Sequence, residues 1–185
     1  MVDVYNNEPL DELSVKSNEL HNNFHQLIKE KTSTIKSVVL KEWKNKNSRL
    51  LSLMDLLIKD FYIFENCSVD KESNELYMRE SSREITLTDT RTEYKIKCIF
   101  IRDKNKYGEE IHTPSCAEFY RNGKKEYCLT TGRSLGDIDI TAWLDIRERA
   151  KQWTEYLNIL QGVIELYYNE YIDKTTKTLD SLQSF

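Results

Sequence analysis

The chain has 185 residues, of which 39% are hydrophobic and 31% charged, and a formal net charge of −4. That length suits one domain with or without an extended arm, and the charge-rich composition fits long helices with one buried stripe and a solvated back. The mild charge excludes the dense basic face of a dedicated nucleic-acid binder, and the longest apolar run, Leu50 to Ile58, is broken by Asp55 and too short to span a membrane.

Residues 1–9 read as a disordered leader ending at Pro9, with neither the cationic nor the apolar segment of a secretory signal. A soluble intracellular protein, cytoplasmic or nuclear, is expected, and in that compartment its four cysteines are reduced thiols. Between Leu10 and Tyr107 there is no glycine and no proline, so local breakers do not interrupt long regular elements. Leu13, Leu20 and Leu27 recur at strict sevens with Leu10, Phe24 and Val38 on the same seam, and Lys31 and Thr34 interrupt it. A second apolar run follows at Leu50, Leu53, Met54, Leu57 and Ile58. This predicts one long helix over 10–59, with a break near Asn45–Ser48, where Asn and Ser favour caps and turns.

From Phe61 the period changes. The stretches 62–69, 75–80 and 83–88 mix β-branched and aromatic residues with partial alternation, and Glu93–Asp103 carries the clearest strand pattern. Asn122-Gly123 between two apolar–polar runs predicts a type I′ hairpin, which needs positive φ at both central residues. Extending that register without interruption pairs Tyr120 with Lys125 and Glu118 with Tyr127. It puts Cys116 and Cys128 on opposite faces. Asp139 or Thr141 can cap the last helix, over 139–182. In it Ile146, Ala150, Trp153, Leu157, Leu160, Ile164, Tyr167 and Tyr171 recur at alternating spacings of four and three, a sustained heptad seam.

The expected fold is α+β, a single domain over 10–185. An antiparallel meander of four or five strands within 61–131 is flanked by long amphipathic helices.

Chemical motifs are sparse. No Gly-rich nucleotide loop or nucleophile elbow is present. The turn Gly132–Gly136 precedes a helix and could offer amides to an anion, but reads as a plain strand-to-helix turn. Cys98, His112, Cys116 and Cys128 form a zinc-compatible set without paired ligand spacing. His21 and His25 are one helical turn apart with no third ligand. No metal and no cofactor are therefore expected.

Glu93 and Lys95 on a strand, with Asp70 and Asp89 upstream, resemble the acid–lysine pattern of a metal-dependent nuclease, although Glu-x-Lys is a common solvated tripeptide. Between Arg91 and Arg133 ten Lys and Arg face six Asp and Glu. Lys95, Lys97, Arg121, Lys124 and Lys125 could line a nucleic-acid surface beside aromatic residues, against interleaving glutamates at 93, 118 and 126.

The residues favour a non-enzymatic protein-interaction or adaptor function, with a homodimer joined through Trp153, Leu157, Leu160, Ile164, Tyr167 and Tyr171, and secondarily through Leu13, Leu20 and Leu27. Nucleic-acid binding and a metal-dependent nuclease are the alternatives.

Overall fold

The computed structural model describes residues 8–64, 82–132 and 139–185. The elements are α1 (Glu8–Lys59), α2 (Phe61–Phe64), β1 (Ser82–Thr88), β2 (Tyr94–Lys104), β3 (Glu110–Arg121), β4 (Lys124–Thr130) and α3 (Ile140–Gln183). The strands form one antiparallel sheet in the order β1-β2-β3-β4. This is the α+β meander flanked by two long helices that the periodicity predicts, with four strands among the described residues. The leader residues 1–7 and most of the stretches 62–69 and 75–80 lie outside the described residues; Glu8 and Pro9 already belong to α1.

Two expectations about the helical elements differ from the structure. α1 runs through Asn45–Ser48 without a break. Lys46 donates to Thr154, and Arg49 donates to Asn158 (2.9 Å) and Gln161 (2.6 Å) of α3. These tertiary contacts override weak local propensity. Phe61–Phe64 is a single helical turn, not the start of a strand: Ile63 N–H donates to the Asp60 carbonyl, and Ile63 and Phe64 are buried.

The two long helices run parallel. Trp43 packs on Trp153 with ring centroids 4.6 Å apart, Arg49 reaches Asn158, Tyr168 donates to Asp60, and Tyr62 meets Tyr171 edge-on. The two residue numbers climb together along the contact. The pair lies across one face of the sheet. Leu50, Met54 and Leu57 of α1, Leu157, Leu160 and Val163 of α3, and Ile85, Leu87, Ile96, Phe100, Phe119 and Leu129 of the sheet form one fully buried core. Each such side chain contributes about 1.5–3 kcal/mol through loss of apolar surface to water.

The helices are offset. Lys36 sits over the Trp143 ring near the start of α3, and every residue of α1 from Leu10 to Leu27 is exposed. At 1.5 Å per residue this exposed stretch, residues 10–27, runs about 27 Å. After Tyr171, α3 runs a further dozen or so residues, about 18 Å, past α1 and α2. Because the helices are parallel, the two overhangs leave from opposite ends of the body.

Candidate functional site

The heptad seam of α3 is divided by this offset. Trp153, Leu157, Leu160 and Ile164 lie in the chain's own core, Leu157 and Leu160 with no exposed surface. Of the residues expected at an interface, these four are packed within the chain's own buried core. The sheet and α1 supply the cover that the seam demands. The tyrosines that follow are also engaged within the chain. Tyr167 bonds the Thr88 backbone and packs on Phe64. Tyr168 donates to Asp60 Oδ2 at 2.5 Å and packs edge-on against Phe64. Tyr171 meets Tyr62. Burial, together with the hydrogen bond to Asp60, holds the Tyr168 phenol well above its usual range.

The seam of α1 is the reverse. Leu13, Leu20 and Leu27 are 61%, 62% and 54% exposed, and Leu10 and Phe24 beside them are exposed as well. Beyond Tyr171, Ile172, Leu179 and Leu182 are exposed apolar residues; Leu182 continues the four-three count of the buried seam, and Ile172 and Leu179 lie off it.

The face of the sheet turned away from the helices carries the basic residues. Thr86, Lys97 and Glu118 form one cross-strand row, and Lys95, Tyr120 and Lys125 the next. Glu93, Lys95, Lys97, Tyr120 and the Asn122-Gly123 tip border a cleft of about 490 Å³. The cations of this face are largely matched: Lys97 pairs with Glu84 at 3.1 Å and Lys125 with Glu118 at 2.6 Å. Tyr120 donates to the other Glu118 oxygen at 2.5 Å, and that bond pushes the phenol up to about 12.

Arg121 lies on the inner side. It stacks on Tyr94 and donates to its hydroxyl at 2.7 Å. Lys124 is exposed at the hairpin tip. Lys95 and Lys97 therefore share the cleft, while Arg121 does not.

The acids of the nuclease pattern are separated. Asp89 is buried in the β1–β2 turn, with its Oδ1 accepting from the Arg91 backbone N–H (3.0 Å) and Nε (3.2 Å), and its Oδ2 from Thr92 (2.6 Å). Burial raises its pKa, but these donors outweigh burial and hold the carboxyl below its usual range. Glu93 closes the same turn at φ 59° and faces the outer cleft. The five-residue turn that joins the strands thus puts the two carboxylates on different sides. Asp70 lies outside the described residues.

The strongest departure from expectation is at β3–β4. Asn122 and Gly123 have φ of 51° and 76°, as a type I′ hairpin requires. The pairs Arg121–Lys124 and Tyr120–Lys125 follow, but then Glu126 is left over and Phe119 opposes Tyr127. The bulge turns Tyr127 and Leu129 inward. Leu129 is fully buried, and Tyr127 stacks on Tyr156 with ring centroids 4.4 Å apart. Register follows the apolar pattern, and one extra residue flips every later side chain.

The same slip brings Cys128 to the outer face beside Cys116, which overturns the opposite-face assignment. Cys116, Glu118 and Cys128, all half-buried, have Sγ and carboxylate oxygen atoms within 4.8 Å of one another. The Cys116 thiol hydrogen-bonds Cys128 and holds it below the usual thiol range against the effect of burial. Cys98 is on the inner face, where burial pushes its thiol up to about 12, and His112 lies toward the far end of β3 opposite Arg102. The four-residue zinc set read from sequence is therefore not assembled. His21 and His25 stack edge-on with centroids 4.3 Å apart on the exposed part of α1, and most of the Gly132–Gly136 turn lies outside the described residues. No helix of the described residues is long and apolar enough to cross a membrane.

No family model, no curated protein and no solved structure matches this chain.

Proposed function

We propose that the chain is a non-enzymatic protein-interaction module that self-associates through the first half of α1 as a parallel two-stranded coiled coil. The observation that supports this reading is the exposed ridge Leu10, Leu13, Leu20, Phe24 and Leu27 on a helix that has left its own body. Set as heptads, Leu10, Ser17 and Phe24 take the a positions and Leu13, Leu20 and Leu27 the d positions. Isolated helices are marginal in water, and most helical stability comes from packing of an apolar face. Asn18, Asn22, Asn23, Ser14 and Ser17 lower the propensity of this segment further.

A second copy is the occupant that suits the flanks. In a parallel, in-register pair the g-to-e′ neighbours are Lys16 with His21, Asn23 with Ile28 and Glu30 with Ile35, so no carboxylate meets a carboxylate. Lys31 at an a position and Thr34 at a d position end the seam near the body, and a polar a residue favours a defined register.

Sedimentation equilibrium tests the reading. The wild-type chain is expected to be a dimer, and Leu20→Asp with Leu27→Asp a monomer whose near-ultraviolet tryptophan signal is unchanged, because Trp43, Trp143 and Trp153 lie in the body. A wild-type chain that stays monomeric at every concentration overturns it.

A further inference from the structure

We propose that Cys116, Cys128 and Glu118 form a binding site for a single thiophilic divalent ion of the zinc type on the open face of the sheet. Among the described residues this is the one group of three or more such side chains close enough to share an ion. The donors suit zinc. Two thiolates and one carboxylate are soft and borderline ligands of a d¹⁰ ion that takes four of them in a tetrahedron.

The distances suit it too. Zinc bonds of about 2.3 Å to sulfur and 2.0–2.2 Å to oxygen put ligand atoms about 3.5–3.8 Å apart in a tetrahedron. The three donors lie within 4.8 Å of one another without an ion between them. Side-chain rotations of less than an ångström or so close the difference. The three come from two adjacent strands, so the backbone already fixes their spacing: Glu118 opposes Cys128, and Cys116 is two residues along the same face.

The surroundings complete the argument. Glu118 is held by two donors, Lys125 on Oε1 and Tyr120 on Oε2, which is how an outer shell aims a ligating carboxylate. Each carboxylate oxygen keeps a second lone pair for a metal. On binding, each thiol loses its proton to solvent and two S–metal bonds form, leaving a site of charge −1. Lys125, and Lys97 directly across from Glu118, offset that charge. The half-buried setting leaves the fourth position for water, the arrangement of an open zinc site. The Glu126 bulge is what makes the site possible: an uninterrupted register turns Cys128 into the core.

Cobalt(II) is the probe. The full-length reduced chain, freed of metal with a chelator, is titrated with Co²⁺ and then Zn²⁺. One equivalent of Co²⁺ is expected to give a thiolate-to-cobalt charge-transfer band that Zn²⁺ abolishes, and Zn²⁺ alone is expected to raise the thermal midpoint. Cys116→Ser and Cys128→Ser should each remove the band. Glu118→Gln should weaken Co²⁺ binding at least about 10-fold, and Tyr120→Phe about 10-fold. Cys98→Ser, on the other face, should leave the band intact. A reduced wild-type chain that gives no charge-transfer band overturns the site, and so does a band undiminished in the Cys116→Ser, Cys128→Ser double variant.

Discussion

Two heptad ridges in this chain have the same spacing and opposite surroundings. From Trp153 to Ile164 in α3 the ridge is covered by α1 and by the sheet; from Leu10 to Leu27 in α1 it stands in solvent. What separates them is position along two parallel helices of unequal overhang: α3's ridge lies over the sheet and α1's ridge lies before it. A heptad thus records a demand for cover, and topology decides whether the chain meets it itself.

Paired truncations break this comparison most directly. Leu160→Ala should destabilise the body by about 2–5 kcal/mol, because it opens a cavity in a fully buried site. Leu20→Ala should change the unfolding free energy of the separated monomer by no more than about 0.5 kcal/mol, as expected of exposed positions. Denaturant melts at low protein concentration measure both, and equal effects would mean that the two ridges are not the two environments described.

The next largest effect sharpens the edge of the body. Asp89→Ala leaves the Arg91 and Thr92 donors without their acceptor in the β1–β2 turn and should cost about 1–3 kcal/mol. The native carboxyl has a lowered pKa, so its contribution is present above its unfolded value of 3.8 and is lost as pH falls through the lower folded value. Stability measured from pH 6 downward should therefore fall less steeply in Asp89→Ala than in the wild type.

The smallest effect should be a gain. Gly162 lies inside α3, where a Cβ would sit 3.3 Å from Nη2 of Arg91. That guanidinium is the end of a flexible chain whose side chain is 57% exposed, so it can move aside. Gly162→Ala should then stabilise the body by up to about 1 kcal/mol through helix propensity. A loss in thermal melts would mean that Arg91 is held firmly where it lies.

Much of the fold was legible. The absence of glycine and proline from Leu10 through the rest of α1, the Asn122-Gly123 pair and the Asp139 cap, whose carboxylate accepts from Ala142 N–H at 2.9 Å, all mark local structure that the fold contains. The continuity of α1 through Asn45–Ser48 was not legible, because it depends on partners more than a hundred residues away. The site was less legible still. Which face Cys128 takes rests on one unpaired residue, Glu126, and the choice is made by the difference between burying Leu129 and burying a thiol. No count along the strand contains that comparison. The surroundings of the two ridges were illegible for a related reason: periodicity marks Leu157 and Leu20 alike, and only the tertiary fold makes one buried and the other exposed.

The parallel course of α1 and α3 has a mechanical corollary. A pull on the N-terminal end of α1 and the C-terminal end of α3 is directed along both axes in opposite senses, so it strains the Trp43–Trp153, Arg49–Asn158 and Asp60–Tyr168 contacts simultaneously in shear. The strands lie beside that line of force and are not peeled apart one by one. In this geometry the body behaves as a rivet between two cables, and its resistance to tension grows with the length over which the helices overlap.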